Sequence, residues 1–147
     1  MDHSTAVNII AKFLNEEGFV GRFPVVLTEM RSSTLQEPDV LGFRCGPSAM
    51  VECKVQRNDF TREKRKGYRN SEDCAGNKRS YACPEGLIKP DEIPEKMGLL
   101  YIDELTREVE VIREPERQKC NREVEQRILY SALRQEVIDG NCKSLVV

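Results

Sequence analysis

The sequence contains no tryptophan and a single histidine, His3, close to the start where a frayed terminus is expected. Its six cysteines stand at 45, 53, 74, 83, 120 and 142, and no two have the two-to-four-residue spacing of zinc ribbons and fingers. This spacing excludes those zinc modules and leaves free thiols in a reducing compartment, with Cys53 and Cys83 suited to be small core residues. Long apolar runs are lacking too. The longest, "FPVVL" and "MGLLYI", fall far short of the roughly 20 residues that span a bilayer. No charged-then-apolar signal segment opens the chain, so the expectation is a cytoplasmic protein without a membrane partner. Internal repeats and low-complexity stretches are absent.

What remains is a chain of 147 residues, one third of them charged, which fits one soluble domain over 1–147. The net charge of −2 conceals a segregation. Residues 54–79 hold nine Lys/Arg against four acids, a local +5, so the rest of the chain totals −7. A cluster of this kind suggests an anion-binding patch.

The opening "STAVNIIAKFLNEEG" has a Ser/Thr cap and apolar Val7, Ile10, Phe13 and Leu14 at helical spacing, with Gly18 as a stop. Three β-rich runs follow: "FPVVLTEM" (23–30), "PDVLGF" (38–43) and "AMVECKVQ" (49–56). They are separated by the polar "RSSTLQE" and the tight turn "RCGPS", a pattern that predicts an antiparallel meander. Asn58 or Asp59 can cap a short basic helix ending at Gly67, and 67–78 reads as a mobile loop. "RSYACPEGLI" supplies a further strand. "MGLLYID" and "EVEVIRE" suggest a hairpin through "ELTR". The last helix is expected over about 115–139, with Pro115 in its first turn, an apolar stripe of Val124, Ile128, Leu133 and Val137, and Gly140 as its stop. Helix, three strands, helix and strand indicate an α/β layer architecture.

Within "MVECKV", alternation puts Val51, Cys53 and Val55 on one face and Met50, Glu52 and Lys54 on the other. Folding the preceding strand against this one brings Asp39 and Glu52 toward one end of the sheet. Two converging carboxylates repel unless a cation or a proton joins them. Mg²⁺ suits such a pair, because it is bound by one or two carboxylates plus waters and phosphate oxygens. A lysine beside the ion can orient a water or offset charge developing on a phosphate, and the basic segment downstream can hold a polyanion. Arg57, Arg62, Lys64, Arg65, Lys66 and Arg69 are the candidate phosphate contacts. Gln56 shares the face of Glu52 and Lys54.

Pro38-Asp39 and Glu52-Cys53-Lys54 resemble the PD-(D/E)xK signature of the restriction-endonuclease-like nuclease superfamily. "VECKVQRNDF", "YACPEGLI" and "GLLYID" are similar to stretches of small bacterial and phage MmcB-type DNA-repair proteins, over about residues 5–112. The resemblance implies an αβββαβ core with a mixed central sheet flanked by helices, to which the C-terminal helix is added. It also implies a Mg²⁺- or Mn²⁺-dependent endodeoxyribonuclease. Asp39, Glu52 and Lys54 would then be catalytic. Asp39, Glu52 and the backbone carbonyl of Cys53 would be metal ligands, with Glu29 or Glu17 as a further acid. The partner would be DNA, RNA not being excluded, and the protein a monomer or homodimer. Two rival classes are a non-catalytic nucleic-acid-binding or accessory protein that keeps the fold, and an interaction protein docking through its C-terminal helix.

Overall fold

A computed structural model describes residues 1–28, 38–64 and 72–141, and among these residues ten segments are regular. They are α1 (His3–Glu16), β1 (Val25–Thr28), β2 (Val40–Phe43), β3 (Ser48–Cys53), α2 (Arg57–Lys64), β4 (Lys78–Pro84), a 3₁₀ turn (Pro90–Glu92), β5 (Gly98–Ile102), β6 (Val109–Arg113) and α3 (Arg122–Ile138). The α-β-β-β-α-β order therefore runs from α1 to β4, as expected.

The six strands form one mixed sheet in the order β1-β2-β3-β4-β5-β6. β1, β2 and β3 are the antiparallel meander, β3-β4 and β4-β5 are parallel, and β5-β6 is antiparallel. Alternation along β3 divides its side chains between two layers. Val51 and Cys53 join Val7, Ile10 and Leu14 of α1 in one core, with Val55 packed against it. Met50 faces the other way and packs with Leu41, Ala75, Val124 and Ile128 beneath α3. A third cluster gathers Phe60 of α2 with Tyr81, Cys83, Ile88 and Leu99. Tyr81 is therefore a core residue; its ring meets that of Phe60 edge-on at 5.4 Å. Burial pushes the Cys83 thiol up to about 11, in keeping with a core role. Among the described residues no helix is long and apolar enough to cross a membrane.

Several boundaries depart from the expected ones, each for a local reason. α1 begins at His3, because Asp2 is its cap: the Thr5 N–H donates to Asp2 Oδ1 at 2.7 Å. His3 is thus a helical residue and no frayed end. α2 begins at Arg57, which puts Asp59 in its first turn, where it pairs with Arg62.

The C-terminal helix starts at Arg122, not near 115. Asn121 caps it by accepting from the Glu123 and Val124 N–H groups. Pro115 instead lies buried against β5. A Cβ added at Gly98 would stand 2.7 Å from Pro115 Cδ and 2.5 Å from Ser80 Oγ. Gly98→Ala is accordingly expected to lower stability by about 1–3 kcal/mol through overpacking, read as a shift of the urea midpoint with an unchanged slope.

The end of the stretch read as a mobile loop is also different. Cys74, Ala75, Gly76 and Asn77 are buried, and their polar groups enter a network that ties the start of α3 to the sheet. Glu125 Oε2 accepts from Ser48 Oγ at 2.5 Å and from the Gly76 N–H at 2.8 Å, while Arg122 Nη1 donates to Oε1 at 2.7 Å. Asn77 receives Arg122 Nη2 at 2.8 Å and donates to the Gln118 carbonyl at 3.2 Å. Arg79, fully buried on β4, donates to the carbonyls of Gly76 and Lys119. Sequence periodicity carries no trace of these partners, which lie up to 77 residues apart.

Candidate active site

The register that pairs Val40 with Val51 brings Asp39, one residue before β2, to the level of Glu52 on β3. Asp39 is fixed there by the main chain: its Oδ2 accepts from the Cys53 N–H at 2.9 Å. The same oxygen lies 3.3 Å from His3 Nε2, supplied by the first turn of α1. A carboxylate offers about four acceptor sites on two oxygens, so these contacts leave acceptor capacity on Asp39.

Glu52 is buried to 2 % exposure on the opposite side of β3 from Cys53. Lys54 follows the end of the strand, its N–H donating to the Ala82 carbonyl at 2.8 Å. Its ammonium turns under α2, where Nζ lies 3.2 Å from Glu63 Oε1, and the two side chains are only 13 % and 7 % exposed. The start of β2, the end of β3, the first turn of α1 and the last turn of α2 thus meet here. Asp39 turns toward α1, and Lys54 toward α2.

His3 and Glu63 were not among the candidates drawn from sequence. Asp2 three residues before Thr5 is a capping pattern that would have started α1 at His3. Starting α2 at Arg57 would have placed Glu63 one turn beyond Phe60, on the face that meets the sheet.

The remaining candidates have varied positions. Glu17, the C-terminal cap of α1, is exposed at the far end of that helix from His3, about 20 Å away at 1.5 Å per residue. It is removed from the site by the direction of α1. Gln56 is exposed at the bend before α2. Arg57 is engaged: its guanidinium forms a two-pronged pair with Glu92, donates to the Leu87 carbonyl at 2.9 Å and lies over the Phe60 ring at 5.2 Å. The hydrogen bond to Glu92 raises its already high pKa. Arg62 is exposed and bonds Asp59 at 2.7 Å. Glu29, Arg65, Lys66 and Arg69, and the side chain of Lys64, lie outside the described residues.

Among the described residues no three His, Cys, Asp or Glu side chains group as a metal cluster. Mg²⁺ does not require three, since one or two carboxylates with other oxygen donors suffice. Asp39, Glu52 and the Cys53 carbonyl are oxygen donors of that kind on adjoining strands, and in that respect the residues fit the ion.

No protein-family model matches the chain, and no curated protein matches it. A solved structure of a protein of unknown function from Silicibacter pomeroyi is similar in fold, with a TM-score of 0.68 and 21 % identity over 100 % of this chain and 99 % of that one.

Proposed function

We propose that the protein is a metal-dependent nuclease that hydrolyses DNA phosphodiester bonds. One observation carries this reading: the β2-β3 register and the bond from the Cys53 N–H to Asp39 bring Asp39, Glu52 and Lys54 of the PD-(D/E)xK-like signature to one end of the sheet. Asp39 and Glu52, with the Cys53 carbonyl, would hold Mg²⁺ or Mn²⁺. When bound, such an ion supplies Lewis acidity toward a phosphodiester. His3 holds the Asp39 carboxylate from α1. Lys54, two residues after Glu52, would bring a positive charge to the same end of the sheet, where it could orient a water or offset charge that grows only in the transition state. The basic segment that begins in α2 would supply phosphate affinity without reading sequence.

The pairing of Lys54 with Glu63 favours a second reading, a nucleic-acid-binding protein that keeps the fold without hydrolysis. An ammonium already matched by a buried carboxylate has a structural use independent of chemistry.

Incubation with plasmid and with single-stranded DNA in Mg²⁺, Mn²⁺ or EDTA separates the two. The nuclease reading expects loss of substrate in metal and none in EDTA, with Asp39→Asn plus Glu52→Gln abolishing both cleavage and calorimetric metal binding. DNA that is retarded in a gel but stays intact in both metals would favour the binding protein.

A further inference from the structure

We infer that Glu63 is a positioning residue for the chemistry assigned to Lys54, an inference that rests on the nuclease reading above. A lysine side chain has four rotatable carbons and a compact charge, and left alone it samples many positions. Effective charge stabilisation requires the ammonium to be in place before charge develops. In this chain both ends of Lys54 are held. Its main-chain N–H is bonded to Ala82 of β4, and its Nζ stands 3.2 Å from Glu63 Oε1.

Glu63 is itself fixed from several directions. It follows Phe60 by three residues on α2, and Phe60 is locked edge-on against Tyr81 of β4. The start of the same helix is pinned by Arg57 to Glu92 and to the Leu87 carbonyl. The register places Tyr81 beside Glu52, so the helix face that carries Glu63 packs on the strand position next to the proposed ligand. A helix of only eight residues, anchored at Arg57 and Phe60, thus presents a carboxylate to the lysine nine positions earlier. A surface ion pair would be too mobile and too well solvated for this use, whereas this pair is largely buried.

Glu63→Gln keeps the shape and one acceptor oxygen while removing the charge. Expected is a fall in kcat of about tenfold with KM for DNA unchanged, since a group acting only on the transition state leaves ground-state binding alone. In a Lys54→Met background the same change should lower kcat no further, because the group that it positions is gone. Glu63→Asp, which retains the charge but withdraws it by one methylene, should fall between parent and Gln. Should Glu63→Gln be too unstable to assay, Glu63→Asp in the presence and absence of Lys54→Met supplies the same cycle. Cleavage by Glu63→Gln at the parental rate, or losses that simply multiply in the double variant, would overturn the inference while leaving the nuclease reading intact. A parent protein that cuts no DNA in either metal overturns both, so the two failures are distinguishable.

Discussion

Replacing Lys54 by methionine is expected to lower turnover by roughly 100-fold or more, the scale of losing one preorganised electrostatic stabiliser. It should also lower stability, because Glu63 would keep its buried charge and lose the ammonium beside it. Removing one partner of a buried pair costs about 3–5 kcal/mol. In a domain of this size that corresponds to a fall of about 10 °C or more in Tm. The two losses are separable. Lys54→Met combined with Glu63→Gln removes both charges and should recover much of the Tm, while turnover stays as low as in Lys54→Met alone. If the double variant regains turnover together with stability, Lys54 served folding, and the non-catalytic reading gains.

The largest purely structural effect is expected at Glu125. Glu125→Ala withdraws the acceptor of Ser48 Oγ, the Gly76 N–H and Arg122 Nη1 together, in a place where the carboxylate is 3 % exposed. Hydrogen bonds to charged groups contribute about 1.5–3 kcal/mol each, and a buried donor left unmatched costs further. These contributions are coupled through one carboxylate and do not simply add. A loss of about 3–5 kcal/mol from the urea unfolding free energy is expected. Ser48→Ala, which removes one of the three donors and also withdraws the Ser48 Oγ acceptor of the buried Asn77 N–H, should cost about 1–3 kcal/mol. Equal losses in the two variants would mean that the Ser48 contact alone accounts for the effect.

The parts of this fold that were legible in the sequence are those set by local rules. Alternation in "MVECKV" correctly separated Val51 and Cys53 from Met50 and Glu52, since a strand buried on both faces leaves no other arrangement. The three-strand meander, the β5-β6 hairpin and the stop at Gly140, whose φ is +76°, followed from turn chemistry. What escaped was long-range. Pro115 is as suited to a buried strap beside Gly98 as to a helix start, and only the fold decides between them. Asn77 looks like a loop residue until Glu125 and Arg122 arrive from α3 to enclose it. In the candidate site the triad of Asp39, Glu52 and Lys54 was visible as a pattern. His3 and Glu63, the side chains that hold two of its members, were not, because each touches its partner across an element boundary.

The order of the sheet has a consequence for how the chain assembles. Among the described residues every strand after β1 hydrogen-bonds to its predecessor in sequence, so none of these pairings must wait for a segment made much later. The entropy of loop closure is incurred in small steps, and each step extends an edge that already exists. On an emerging nascent chain, α1 and the first three strands can cover one face and bring Asp39 beside Cys53 before β4 is available. Arg79, Asn77 and Ser48 would stay wet until α3 swings over them at the end. Asp39 and Glu52 thus belong to the part that can form first, Lys54 and Glu63 are fixed only when β4 arrives, and the helix that closes the polar network belongs to the part that forms last.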